Sequence, residues 1–473
     1  MAAIEFPKAT LGSASDVSTG SSDLAVLDGE LSAKDGTRLG LVGRGWASKL
    51  QRESVGFGLT MTPAEYLDAH ASDLVALLRR LVRVPTVNPP GRDYDAITAL
   101  LVEELRAAGL AARRLTVSKA LSRATLPPEQ HAFPRYNVLG RWRTGASRKT
   151  LHFNAHYDVV PVSGGWRHGD PFSGEEQRGW IHGRGTADMK GSIASLLLAL
   201  RALRAAGVAP RLNVEVSFTA DEETDSALGA GWLVKHAPIR PDYVVVMEGS
   251  EGDGVCCGHN GVVWLEVTVH GKAAHGSLPH EGVNALEKMA ALVGALEAYK
   301  KRLPLKTFEA PDGQLMVPTL NIGGVFSQGD GGKINTVPAL ARFTLDRRVL
   351  AVESVRTVER ELRSWLLRAA RRIPGCRISI AKLSESHPCF SRPAHPFFAA
   401  MAGCVTRVRR QPTVFKVSAG FNDMHFFSEH LRVPTLGYGP GGRACHAIDE
   451  RASVRELLAS AKIYAELMTT FAG

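Results

Sequence analysis

The sequence predicts an α/β fold, with helices on both faces of a central sheet and a smaller β-α-β-β-α-β unit inserted into it. Three observations predict it. Short apolar strands alternate with helical stretches between Thr150 and Met247. A run in the order strand, helix, strand, strand, helix, strand follows between Val262 and Leu383. Helix and strand patterns of the first kind then return and continue to the C-terminus.

Residues 1–60 hold Ser, Gly, Asp and Thr clusters without sustained periodicity and read as a disordered tail. Acidic and basic residues are about balanced there, which argues against a transit peptide, and no signal peptide opens the chain. Met61, just before the helix start Thr62-Pro63, stands where an alternative start of translation would fall. From Pro63 to Arg83, Leu67, Leu74, Leu77, Leu78 and Leu81 line one side of a helix, which Pro85 and the turn Asn88-Pro89-Pro90-Gly91 end. A second amphipathic helix covers Tyr94 to Ala108, and Lys119 to Arg135 reads as an inserted loop. Thr150–Asp158, Leu212–Ala220 and Tyr243–Met247 read as strands, with a helix over Met189–Ala206. The inserted unit comprises the strand Val262–Val269, the helix Asn284–Arg302, extended runs at Val317–Phe326 and Leu340–Val349, the helix Glu353–Arg372 and the strand Arg377–Leu383. A helix over His395–Val408, a strand at Val414–Val417 and a helix over Ala452–Phe471 complete the chain. The expected division is a tail at 1–60, a first catalytic part at 61–258, an inserted domain at 259–384 and a second catalytic part at 385–473.

With 473 residues, the chain exceeds the size at which single cores stop growing, so more than one domain is expected. No apolar run is long enough to span a bilayer, and a cytoplasmic protein is expected. The six cysteines lack metal-finger spacing and fit a reducing compartment. The formal charge of +10 invites comparison with nucleic-acid binders. The basic clusters at Arg363, Arg368, Arg371 and Arg372 and at Arg407, Arg409 and Arg410 lie on helical stretches without interleaved aromatics, so they read as solvated faces.

The chemistry concentrates in five places. His156-Tyr157-Asp158 ends a strand, and residues two apart on a strand face the same way. Asp158 can then hold one imidazole nitrogen while the other binds a metal, although His-x-Asp alone is usually structural. Gly183 to Gly191 is a glycine-rich turn presenting Asp188 at a helix start, where an N-cap is the plain alternative. Asp221-Glu222-Glu223 follows a buried strand; a solvated loop would tolerate three adjacent carboxylates, but bound cations would compensate them better. Glu248 ends the apolar run from Tyr243, and His446 follows the loop Gly439-Pro440-Gly441-Gly442; either alone would pass as an ordinary loop residue. Together they put acids and histidines at the ends of successive strands, where α/β sheets form their sites, and they make a ligand set suited to zinc.

From about Thr62 onward the chain resembles the dinuclear zinc hydrolases that include aminoacylase, acetylornithine deacetylase, succinyl-diaminopimelate desuccinylase and carboxypeptidase G. The resemblance rests on His156-x-Asp158, Gly183–Gly191, Asp221-Glu222-Glu223, Gly271–Asn284 and Gly439-Pro440-Gly441 with His446. It implies that His156, Asp188 and Glu248 hold one zinc ion and that His446, Asp188 and Glu223 hold the other, with Asp188 bridging. Cobalt or manganese could substitute. It further implies Glu222 as general base and Asp158 as the carboxylate behind His156. His275 matches a histidine of the inserted lid domain that reaches the partner subunit's site in dimeric relatives, and Asn335 and Arg348 match lid residues that bind the substrate carboxylate. A homodimer through the lid is implied as well. Relatives often carry Gly-Glu-Pro and Gly-Gly-Thr-Asp where this chain has Met247-Glu248-Gly249 and Gly420-Phe421-Asn422-Asp423.

The expected activity is hydrolysis of an amide, releasing an acyl group from an N-acyl amino acid. Glutamate rather than aspartate at position 248 resembles the deacylase and carboxypeptidase branches. The alternative on the same fold is an exopeptidase acting on short peptides. A silent metal or amino-acid binder is a third reading, against which an intact Glu222 speaks. Nucleic acid and membrane are not expected partners.

Overall fold

The structure, a computed structural model, describes residues 61–249, 252, 254–327 and 333–473. The tail expected over residues 1–60 lies outside them. Four short runs, Asn213–Thr219, Thr150–His156, Tyr243–Val246 and Thr435–Gly437, are buried along nearly their whole length, as strands covered on both faces must be. They lie side by side in that order, all parallel. Tyr136–Trp142 and Ala111–Thr116 extend one side antiparallel. On the other side, Gly254–His259 pairs with Thr435–Gly437 and carries Cys389–Phe390 and Val414–Ser418.

Alternation along these strands sorts the side chains between two faces. Leu151, Phe153, Val214, Val216 and Val245 join the core beneath the helices Ala71–Val82, Gly191–Ala205 and Val454–Thr470. The helix Gly191–Ala205 is apolar almost all round and nearly every residue is buried, because it lies between the sheet and other helices. Val244 and Val246 belong to a separate core on the opposite face, with the helix Ala230–His236 and the turn Phe426–Leu431. On that face the two central strands are polar. His152 bonds Glu215 Oε1 at 3.0 Å and Ser217 Oγ at 2.7 Å, and Asn154 donates to Ser217 Oγ at 3.0 Å and Thr219 Oγ1 at 3.2 Å.

The inserted unit is a second sheet, in the order Leu320–Ser327, Leu340–Val349, Gly261–His270, Arg377–Ser386, with every pair antiparallel. It shares one core with the helices Ala285–Lys300 and Val355–Arg371. This is the β-α-β-β-α-β arrangement expected from the sequence. The chain enters it across Asn260, between Gly254–His259 and Gly261–His270, and leaves it across His387–Pro388.

Several elements differ from the expectation. The first helix is two, Pro63–Ala69 and Ala71–Val82. A capping box of Thr62 and Glu65 starts it, and it breaks at His70, whose ring stacks on Tyr66 and whose Nδ1 bonds Tyr66 O at 2.8 Å. Lys119–Arg135 is not a featureless loop. It holds a helix, Lys119–Thr125, and a 3₁₀ turn, Pro128–Gln130, because Gln130 and Arg135 are buried and bonded to each other. Arg409, expected on a solvated face, is largely buried and pairs with Glu456 at 2.7 Å. Among the described residues no helix is long and apolar enough to cross a membrane. The six cysteines are all free thiols.

Candidate metal centre and active site

The four parallel strands end together, and each hands a charged residue to the same place. Thr150–His156 ends on His156, Asn213–Thr219 runs into Asp221-Glu222-Glu223, Tyr243–Val246 is followed by Glu248, and Thr435–Gly437 leads to the loop bearing His446. That loop must lie close. A Cβ on Gly439 would come within 2.4 Å of Met247 O, and one on Gly442 within 2.3 Å of Ala187 Cβ, so only glycine fits at either position.

Asp188 occupies the middle. His156 Nε2 lies 3.0 Å from its Oδ1, and His446 Nε2 lies 3.2 Å from its Oδ2. Glu223 Oε2 is 3.1 Å from the same His446 nitrogen, and Glu248 Oε2 is 3.8 Å from His156 Nε2. The two oxygens of one carboxylate thus face two histidines, each flanked by a further acid. One ligand atom each from His156, Asp188 and Glu223 lie within 4.8 Å of one another. Glu223 Oε1 is buried without a hydrogen-bond partner among the described residues. Burial and mutual repulsion push the carboxyls of Glu222, Glu223 and Glu248 up, against the pull of His156. Burial also opposes charge on Asp188, but its bonds to His156 and His446 hold it below the ordinary range. Three acids and two imidazoles around shared space, with one buried oxygen unsatisfied, fit a pair of divalent cations with nitrogen and oxygen ligands.

Asp188 does not cap a helix. Its φ of −129° is non-helical, and the helix Gly191–Ala205 starts after Lys190. The turn is shaped by Glu450, which the sequence reading missed. Buried Glu450 Oε1 accepts the N–H groups of Gly185 (3.0 Å), Ala187 (2.9 Å) and Asp188 (3.1 Å), and its Oε2 takes Arg184 Nη1 at 2.5 Å. The peptide between Asp188 and Met189 is cis.

Asp158 acts on two fronts, with one difference from expectation. His156 Nδ1 sits nearer the Asp158 main-chain oxygen, at 3.0 Å, than its carboxylate, at 3.6 Å. The carboxylate instead accepts the N–H groups of Glu222 and Glu223, both at 3.2 Å, and Asn88 Nδ2 at 3.0 Å. Asp221, expected in a run of three similar acids, is separate from its neighbours. It is buried, accepts Arg135 Nε at 2.7 Å and Tyr94 Oη at 2.9 Å, and burial pushes its carboxyl up to about 6 against the pull of Arg135. Arg135 is itself fully buried, and its other nitrogens donate to Phe133 O at 2.7 Å and Gln130 Oε1 at 2.8 Å. No sequence pattern flagged Asn88, Tyr94, Arg135 or Glu450. Their partners at the site lie between 70 and 266 positions away, so no local pattern marks them.

None of the three residues expected on the lid bonds to this cluster among the described residues. His275 is exposed, with Nδ1 2.7 Å from Ser277 Oγ. Asn335 is exposed beside it, its main-chain oxygen taking Gly276 N at 2.7 Å. Arg348 pairs with Asp346 Oδ2 at 3.0 Å and lies opposite Val262, near the crossing at Asn260. His275 and Asn335 follow and precede the other end of those strands, where Leu340 lies opposite His270. Eight residues of extended chain, roughly 26 Å, separate the two ends.

Over 415 residues the chain is 29% identical to succinyl-diaminopimelate desuccinylase of Methylocella silvestris, spanning 85% of this chain and 98% of the relative. Its fold is similar to human carnosine dipeptidase 1, with a TM-score of 0.67 at 18% identity over 87% of this chain and 99% of the other. It is also similar to a dinuclear metal-binding peptidase from Bacillus subtilis, with a TM-score of 0.60 at 14% identity over 85% and 98%. Residues 152–470, which carry the whole cluster of acids and histidines, match the family described as Peptidase family M20/M25/M40, and the chain belongs to that family of metal-dependent hydrolases.

Proposed function

We propose that the protein hydrolyses the amide bond of an N-acyl amino acid, with two divalent cations held at the strand ends. The observation that carries this is Asp188, whose two carboxylate oxygens face two separate histidines, each beside a further acid. His156, Asp188 and Glu248 would hold one ion, and His446, Asp188 and Glu223 the other. Ions bound there supply Lewis acidity, which eases water's loss of a proton and stabilises negative charge growing on the carbonyl oxygen. Zinc suits the donor set, and cobalt or manganese satisfies it too.

Glu222 is the general base. Its carboxylate makes no hydrogen bond or ion pair among the described residues, and its backbone is fixed by Asp158, so it is oriented yet uncommitted. It takes the proton of the attacking water and passes it to the leaving nitrogen. Arg348 recognises the substrate carboxylate through its planar fork, and Asn335, which lies beside His275, reaches that carboxylate from a partner copy. His275 steadies the carbonyl oxygen. With His275 and Arg348 at opposite ends of one sheet, His275 and Asn335 serve the active site of a partner copy in a homodimer joined through the lid. The catalytic domain takes residues 61–258 and 385–473, and the lid takes 259–384. A cytoplasmic setting goes with it.

The relative from Methylocella silvestris is named as a desuccinylase, which favours an N-succinyl or similar acyl substrate over a peptide. Purified protein, loaded with zinc or treated with chelator, should be given N-succinyl, N-acetyl and N-formyl amino acids alongside dipeptides. Chelator-sensitive release from an acyl amino acid is expected. Release from dipeptides alone would replace this reading with an exopeptidase, and no release with both ions bound would leave a silent binder.

A further inference from the structure

Strands 150–156 and 213–219 carry the acid and histidine cluster at one end and a basic pocket at the other. We propose that this pocket binds a phosphate-bearing small anion. It is an open cavity of about 260 Å³ lined by Arg141, Arg143, Arg148 and Arg240, which come from three separate stretches of chain. Its wall includes one carboxylate, Glu215, and that group is already engaged, with Oε2 on Arg141 Nε at 2.7 Å and Oε1 on His152 at 3.0 Å. Among the described residues, Arg143 and Arg148 have no acidic partner, and Arg240 bonds only the main-chain oxygen of Ile239, at 2.6 Å.

The arginines stand on a fixed support. Asn213 closes the loop that bears Arg143 and Arg148. Its Oδ1 accepts Thr144 N at 3.1 Å, its Nδ2 donates to Ser147 O at 2.9 Å and its N–H donates to Lys149 O at 3.0 Å. Guanidiniums held around one space repel each other unless an anion lies between them, and their forks match phosphate oxygens. The size admits a phosphate or diphosphate group. The pocket lies at the opposite strand ends from Asp188, so an anion there does not ligate the cations of the proposed reaction.

The test is isothermal titration calorimetry of the metal-loaded protein with inorganic pyrophosphate and with a nucleoside diphosphate, at constant ionic strength. The triple variant Arg143→Ala/Arg148→Ala/Arg240→Ala is measured in parallel. The expected result is saturable binding of at least one anion, weakened tenfold or more in the variant, with the tighter of the two naming the source. Arg148→Glu, a single exposed change, gives a second comparison if the triple variant does not fold. Binding that is equal in wild type and variant would belong to the cations and would overturn the proposal, as would the absence of binding. Basal amide hydrolysis should be unchanged in the variants, so a failure of anion binding is distinguishable from a failure of the proposed reaction.

Discussion

Arg135 and Asp221 form a buried ion pair beneath the catalytic turn, with side chains 0% and 2% exposed. Asp221 precedes Glu222, and its φ of 61° is a left-handed conformation that its bonds to Arg135, Tyr94 and Asn88 hold in place. Removing the guanidinium leaves a buried acid without its partner. Arg135→Ala is therefore expected to cost about 3–5 kcal/mol of stability, measured by urea unfolding, because breaking a buried pair strands a charge. An unchanged midpoint would show that the pair is dispensable. At this scale the acids and histidines that the structure brings together were legible, because such residues at strand ends are a local pattern. The residues that aim them were not legible. Arg135 lay inside what read as a loop, and Glu450 lay just past the histidine motif with nothing to mark its bonds to residues 185–188.

The turn from Gly183 to Lys190 shows how an element serves the site. It is neither helix nor strand at Asp188, and three of its N–H groups converge on one carboxylate oxygen of Glu450. Glu450→Gln keeps the shape but weakens those charge-assisted bonds and loses the pairing with Arg184. Metal affinity, measured by competition with a chromogenic chelator, should fall by ~10–100-fold, as outer partners of ligands commonly contribute. No change would mean that the turn holds Asp188 without Glu450. The helix behind it is a packing element. Leu197→Ala, at a position with no exposure, should cost about 2–5 kcal/mol while leaving metal affinity near wild type. The helices and buried parallel strands were legible because their periodicity is strong. The edge strand Ala111–Thr116 and the interior strand Gly254–His259 were not, because an arginine-rich run and a cysteine-glycine run lack alternation. The first helix read as continuous because nothing in its leucine spacing reports the stacking of His70 on Tyr66.

In the whole molecule, one sheet gathers the acids and histidines while a second carries His275 and Arg348 at opposite ends. The two-sheet plan was legible from the order of elements alone. If the partner's lid completes each site, mixing two inactive variants should restore turnover. Glu222→Gln and His275→Ala, combined under exchanging conditions, would form a dimer in which one site has both an intact base and the partner's histidine. Continued inactivity would confine His275 to its own chain or remove it from the reaction. Stripping the cations should lower the thermal midpoint, because the clustered carboxylates then lose their compensating charge and the native state loses a ligand. A midpoint unaffected by chelator would contradict metal binding at the cluster. The most direct test of the central claim is the turnover number of Glu222→Gln on a preparation shown to hold two divalent ions per chain. A fall of ~10²–10⁴-fold at full metal content is expected if Glu222 moves the proton. Turnover equal to wild type at the same metal content would contradict the assignment of the base and, with it, this account of the reaction.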